Sequence, residues 1–223
     1  MSSLAERLAG VQTEVADAAS AAGRDPAGIT TVVVTKFHPA ALVRELAQLG
    51  VRDFGENRHQ DAAPKAAELA DLDLTWHFVG QLQSKKAKQV RGYATVIHSV
   101  DRESLADALA SPESTIDCFI QVNLTDDPAR GGANPSELHA LAERVLSTEG
   151  LRLLGLMAVA PLGEEPRRAF ARVRELSQGI RSLAPEADRL SMGMSGDFRE
   201  AIMEGATHLR IGTAITGNRP EAG

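Results

Sequence analysis

Thr31-Val32-Val33-Val34-Thr35-Lys36-Phe37-His38-Pro39 is a β-branched run that delivers one lysine to a turn. With Thr30 in front, every residue up to Thr35 is branched at Cβ, and such side chains are restricted at χ1 and favour a pleated strand over a helix. Pro39 donates no ladder hydrogen bond and biases His38 away from helical dihedrals, so the strand ends near Lys36 and a helix begins after the proline. Lys36 then stands at a strand's C-terminal end, the edge at which parallel α/β proteins bind ligands. A lysine partly desolvated there can lose its proton and attack a carbonyl. A lysine that merely snorkels out of a strand end has the same sequence signature.

The alternation repeats outward from this stretch. Upstream, Leu4, Leu8, Val11 and Val15 recur at helical spacing, which predicts a helix over 2–22 ended by Gly23. Downstream, helices are expected from Pro39 to Leu49 and near 57–71, 83–91, 101–110, 135–148, 165–183 and 196–204. Strands are expected at 51–54, 74–79, 94–98, 116–122, 151–156, 188–191 and 207–211. Eight strands alternating with helices imply a parallel sheet, and a closed (β/α)8 TIM barrel is its natural form. The opening helix is placed to cover the gap left by the eighth strand. A doubly wound open sheet is the alternative. No linker or repeat divides the chain, so residues 1–223 read as one domain.

With 43% hydrophobic and 24% charged residues the composition is that of a folded protein, and a formal net charge of −6 argues against a general nucleic-acid binder. The single cysteine, Cys118, excludes an intrachain disulfide and a cysteine zinc cluster, and no metal site is expected. No apolar stretch is long enough to span a bilayer, and Glu6 and Arg7 stand where a signal peptide has its apolar core. A cytoplasmic protein without membrane partners is expected.

If the strands close a barrel, polar residues collect just beyond them. Phe54-Gly55-Glu56-Asn57-Arg58 follows the second strand, and Trp76-His77-Phe78-Val79-Gly80 with Leu82-Gln83-Ser84 the third. His98-Ser99-Val100-Asp101, Gln121-Val122-Asn123 and Gly155-Leu156-Met157 follow the next three. Asp101 reads as a helix cap, and Asn57 as a cap or a ligand-facing amide. His77 is a satisfied core histidine or a ligand contact, while Met157 packs in the core or rests against a flat ring. Lys85, Lys86 and Lys88 with Arg91 read as a solvated face, a second ligand site being the alternative.

The most informative stretch is Leu190-Ser191-Met192-Gly193-Met194-Ser195-Gly196-Asp197-Phe198. Serines and glycines between a short strand and a helix make a tight turn whose backbone N–H groups attract phosphate, although Ser195 as a plain N-cap fits the same letters. Gly212-Thr213 after the last strand adds to the cradle, and barrels often bind phosphate after strands seven and eight. A strand-end lysine and a phosphate cradle together suggest a phosphorylated carbonyl compound, and pyridoxal 5'-phosphate has that pair of handles. A Schiff-base aldolase or a phosphosugar isomerase would use the same pair, but would also want a carboxylate base at a strand mouth.

Taken in order from Val34-Thr35-Lys36 to Arg210-Ile211-Gly212-Thr213, these motifs resemble the pyridoxal phosphate homeostasis proteins, single-domain barrels similar to the N-terminal domain of alanine racemase. The resemblance implies that Lys36 forms an internal aldimine with pyridoxal 5'-phosphate and that Ser195, Gly212 and Thr213 hold its phosphate. It places Arg210 at the pyridine nitrogen, with Asn57, His77, Met157, Ser191 and Met194 completing the cofactor-binding set. An arginine there gives up no proton, which leaves the cofactor a poor electron sink. The resemblance further implies a monomer acting in intracellular vitamin B6 homeostasis, with no robust catalysis of its own and with apo pyridoxal-phosphate enzymes as recipients. A weak amino-acid racemase is the alternative. Racemisation in the related two-domain enzymes needs a tyrosine from a C-terminal β-domain, whereas the one tyrosine here, Tyr93, is predicted on the outer helix after the third strand. The chain departs from the family at Phe37, His38, Arg58 and Thr216, which puts ring packing and partner surfaces in question more than cofactor binding.

Overall fold

The first helix begins with a reciprocal cap. Ser3 Oγ accepts from the Glu6 N–H at 3.2 Å, and Glu6 Oε2 accepts from the Ser3 N–H at 2.8 Å. This capping box starts α1 (Leu4–Ala21), whose buried stripe Leu4, Leu8, Val11 and Val15 follows the helical repeat read from sequence. In this computed structural model, which describes residues 2–218, the β-branched run then enters β1 (Thr30–Val34). After Pro39 come α2 (Ala40–Gln48), β2 (Asp53–Glu56), α3 (His59–Glu68) and β3 (Thr75–Phe78). The chain continues through α4 (Ala87–Arg91), β4 (Val96–Val100), α5 (Glu103–Ala108), β5 (Ile116–Gln121), α6 (Leu138–Ser147) and β6 (Leu151–Met157). It ends with α7 (Pro166–Leu183), β7 (Arg189–Ser191), α8 (Phe198–Met203), β8 (His208–Ile211) and α9 (Thr213–Thr216).

All eight strands pair in parallel with their sequence neighbours, and β8 returns to β1 with Val32 beside Arg210, so the sheet closes into a barrel. The open-sheet alternative is thereby excluded. α1 packs against α8 and α9, and Arg7 Nε donates to the Ile215 carbonyl at 2.8 Å, so the opening helix does cover the seam after β8. Gly155 is required by the backbone itself. At φ 149° it lies 1.9 Å, measured to an added Cβ, from the Arg189 carbonyl, so a side chain there would push β7 out of register.

Most apolar burial lies between strands and helices. Inside the barrel the apolar cluster is small, with Val96, Phe119 and Met157 at its centre. Phe119 is flanked by the rings of His98, centroids 4.7 Å apart, and His208 at 5.1 Å. A layer normally filled by branched aliphatics is therefore partly built from histidines.

That layer accounts for several shifted boundaries. β4 extends to Val100, so His98 and Ser99 lie within the strand, because His98 finds ring-nitrogen partners across the barrel. β2 runs from Asp53 to Glu56, two residues later than the expected strand, since Val51 N–H still bonds back to the Leu46 carbonyl of α2. Asp101 does not cap α5; its carboxylate pairs with Arg102 at 2.5 Å. The helix expected over 83–91 is a 3-10 turn at Ser84–Lys86 followed by α4, and Tyr93 lies in the turn after that helix. Its ring stacks on His59 at 5.9 Å, outside the barrel. No helix of the described residues is long and apolar enough to cross a membrane.

Candidate functional site

The C-terminal ends of the strands enclose a cavity of about 560 Å³. β1 ends at Val34, and the following turn carries Lys36 into this cavity with its side chain exposed. Among the described residues Lys36 makes no hydrogen bond or ion pair; its Nζ lies 6.0 Å from the centroid of the Phe37 ring, which Arg58 also approaches at 5.6 Å. Phe37 holds φ +70°, the one non-glycine of the described residues in the left-handed region. Such a backbone persists only where its surroundings fix it, and here it lets the chain turn sharply at Lys36.

From β2 the chain delivers Asn57, whose Oδ1 is buried without a partner. Asn57 does not cap α3, which begins after Arg58 without a side-chain cap. Its position is fixed by Gly80, since a Cβ at residue 80 would stand 2.1 Å from the Asn57 carbonyl. β5 and β6 contribute Gln121 and Met157, and the stretch after β7 contributes Met194, Ser195 and Gly196. α8 begins at Phe198 with Asp197 before it, so Ser195 is not that helix's cap. Its hydroxyl instead accepts from Ala214 N–H at 3.3 Å and Thr213 Oγ1 at 3.4 Å, joining the turn after β7 to Gly212-Thr213 after β8. Asp197 braces the same turn by accepting from Met194 N–H at 2.6 Å, and burial holds its carboxyl above the usual range.

Arg210 rises from β8 into the floor of the cavity. Its NH1 donates to Ser191 Oγ at 2.6 Å and its NH2 to the Ala158 carbonyl at 2.9 Å. Burial pushes its guanidinium down to about 10, with Asp197 opposing, which leaves it cationic at neutral pH. Lys36, Arg130 and Arg210 thus line the cavity, and no carboxylate does so among the described residues. In a chain of net charge −6 this is a concentrated anion site.

Eight of the expected residues meet there: Lys36, Asn57, Met157, Met194, Ser195, Arg210, Gly212 and Thr213. His77 and Ser191 do not line the cavity. Both are buried beneath it, His77 between Asp53 and His98, Ser191 between His98 and Arg210. Their polar atoms are used inside the barrel, the satisfied-core reading of His77. Asn123 is spent on its own loop, accepting from Thr125 N–H at 2.9 Å and donating to the Asp127 carbonyl at 2.9 Å. Arg130 was not legible as a site residue. It sits in an aperiodic loop before Gly131-Gly132, and that glycine pair was the one local signal of a chain doubling back over the cavity.

The histidine layer makes the fold acid-sensitive. Burial drives His98 well below the ordinary imidazole range, and burial with His77 and Arg189 nearby pushes His208 down to about 4. Unfolded, each binds its proton near pH 6.5. Below that value the unfolded chain holds more protons than the folded one, so stability falls as pH falls, across the window from about 6.5 to 4 for His208. Urea titrations at pH 7 and pH 5 are expected to differ by about 2 kcal/mol from His208 alone. Equal midpoints and slopes at the two pH values would contradict this.

The donor set fits a carbonyl-bearing phosphate ester: one accessible amine, one cradle of hydroxyl and backbone N–H groups, one unpaired buried amide oxygen, and a cation on the floor. Comparison with known proteins agrees. The model of the alanine racemase N-terminal domain family matches residues 11–220. A pyridoxal phosphate homeostasis protein of Pseudomonas aeruginosa is 46% identical over 98% of this chain and 97% of its own length. One from Corynebacterium glutamicum is 41% identical over 89% and 94%. The solved structure of PipY from Synechococcus elongatus with PLP bound superposes with a TM-score of 0.85 at 37% identity, covering 96% of this chain and all of that one. Alanine racemase from Corynebacterium glutamicum shares the fold at TM-score 0.71 and 16% identity, this chain matching 62% of it.

Proposed function

This chain belongs to the pyridoxal phosphate homeostasis proteins of the alanine racemase N-terminal domain family, and from that premise we propose that it holds pyridoxal 5'-phosphate on Lys36 as a cofactor reserve for other proteins. The observation that carries the proposal is the pairing of Lys36, free of hydrogen bonds and ion pairs among the described residues, with the Ser195–Thr213 cradle in one cavity without a lining carboxylate. When bound, the cofactor supplies an aldehyde that condenses reversibly with a primary amine. Lys36 offers that amine. Ser195, Gly196, Gly212 and Thr213 offer hydroxyl and backbone donors to the phosphate, and their link through Ser195 Oγ keeps both loops at one spacing. Val34, Val79, Met157, Val159 and Met194 supply apolar walls that exclude water from a flat ring.

Arg210 faces the ring nitrogen in this reading. As a donor-only cation it withholds the proton that would make the ring an electron sink. The described lining residues include neither tyrosine nor carboxylate, which supports storage and release over racemisation. We assign the chain a monomeric, intracellular role with apo pyridoxal-phosphate enzymes as recipients.

Native mass spectrometry of the purified chain tests the proposal. Incubation with pyridoxal 5'-phosphate is expected to leave one retained adduct per chain after desalting. A protein that passes through desalting without added mass would refute it.

A further inference from the structure

A second cavity of about 400 Å³ lies between α1, β1 and the start of β2, at the N-terminal end of which Asp53 stands in its wall. About a third of the Asp53 side chain, 32%, is exposed there. From its carboxylate a line of hydrogen bonds crosses the barrel interior without a gap. Asp53 Oδ1 lies 3.0 Å from His77 Nε2, His77 Nδ1 lies 2.8 Å from His98 Nε2, and His98 Nδ1 lies 2.7 Å from Ser191 Oγ. Ser191 Oγ then accepts from Arg210 NH1 at 2.6 Å. The five side chains come from β2, β3, β4, β7 and β8, and those of His77, His98, Ser191 and Arg210 are buried.

The two ends of this line have no freedom of role. A guanidinium only donates and a carboxylate only accepts, so neutral histidines can complete the line in one sense alone. Arg210 donates to Ser191, the Ser191 hydroxyl donates to His98 Nδ1, His98 Nε2–H donates to His77 Nδ1, and His77 Nε2–H donates to Asp53. Both imidazoles carry their proton on Nε2. The burial of His98 and its cationic neighbour Arg210 favour the neutral His98 ring that this requires. Successive donations polarise one another in a low-dielectric interior, so the far carboxylate strengthens the bond that orients the guanidinium.

We infer that Asp53, His77, His98 and Ser191 form a one-directional hydrogen-bond relay through the barrel that positions Arg210, so that a carboxylate on the opposite face sets how the arginine meets the bound ring. The relay rests on the hydrogen-bond geometry; only its consequence for the ring rests on the proposed cofactor role. His77 and Ser191 thereby act through Arg210 as positioning residues, without touching the ligand.

Long-range 1H–15N spectra of the full, cofactor-free chain at neutral pH read the tautomers directly. His77 and His98 are both expected to show protonated Nε2 and bare Nδ1. Asp53→Ala, at the partly exposed end where folding is least at risk, is expected to mix the tautomers. It is also expected to shift the absorption maximum of the cofactor-loaded chain and to weaken pyridoxal 5'-phosphate retention about fivefold, the effect of one weakened hydrogen bond. Asp53→Asn, whose amide can turn to donate, is expected to populate the reversed Nδ1–H forms. A wild-type His98 protonated on Nδ1 would overturn the relay. So would an Asp53→Ala chain whose tautomers, spectrum and retention all match the wild type. A wild type that retains no cofactor would defeat the proposed function instead, and the tautomer spectra would still decide the relay.

Discussion

Borohydride treatment of the cofactor-loaded chain is expected to fix one pyridoxyl group on Lys36, and Lys36→Ala is expected to abolish that label. The expectation is sharp because the chain has five lysines and the structure sets Lys36 apart from the other four. Lys65 is 7% exposed and bound to Glu56 and to the Thr35 carbonyl. Lys85, Lys86 and Lys88 lie at the start of α4, away from the lining of the cavity. Lys36 alone lines it. Peptide mapping after reduction measures the distribution of label. More than about tenfold less label in Lys36→Ala matches the loss of a covalent attachment, because reversible contacts alone leave nothing for hydride to fix. Equal labelling of Lys85 or Lys86 in the wild type would remove Lys36 from its central role. Lys36→Ala should fold normally, since the side chain is exposed and contributes no hydrogen bond or ion pair among the described residues.

The barrel was legible because it is written in chemistry that depends on near neighbours. Six β-branched residues before Pro39 fixed β1 and its end, and Leu4, Leu8, Val11 and Val15 fixed α1. Glycine and serine spacing exposed the cradle at Ser195, Gly212 and Thr213 for the same reason. The histidine layer was not legible. His77 and His98 are separated by twenty-one positions, and His98 and Ser191 by ninety-three, so their partnership exists only after the sheet closes. Read singly, a polar residue in a strand pattern looks like a strand end, which ended the expected fourth strand at residue 98, while the resemblance alone assigned His77 and Ser191 to the ligand. The ion pair of Glu56 was hidden for a similar reason, because its cation Lys65 lies on the following helix.

That cation gives the largest expected change in stability. Glu56 is 1% exposed and Lys65 7%, and Lys65 Nζ meets Glu56 Oε1 at 2.5 Å. Thr35 Oγ1 also donates to Oε1 at 2.7 Å, and Lys65 Nζ donates to the Thr35 carbonyl at 3.0 Å. The pair therefore clamps the residue next to Lys36, joining β1, β2 and α3 at the mouth of the cavity. Its other oxygen, Oε2, is buried without a partner, so the carboxylate relies on Lys65 for most of its compensation. Lys65→Met keeps the aliphatic stem and removes the charge, leaving a buried carboxylate with one hydroxyl donor. Such a loss typically costs about 3–5 kcal/mol. For a chain of this size that corresponds to a fall of roughly 6–20 °C in Tm. Thermal unfolding with Glu56→Gln/Lys65→Met beside the single variant separates the causes. The double variant has no buried charge and is expected to recover more than half of the loss. A single variant within about 1 kcal/mol of wild type would mean that the carboxylate finds other compensation. A double variant as unstable as the single would assign the loss to the missing hydrogen bond from Lys65 to the Thr35 carbonyl instead. Recovery of stability without recovery of the Lys36 label would show the clamp acting on function as well, by holding Thr35 and hence the turn that presents the amine.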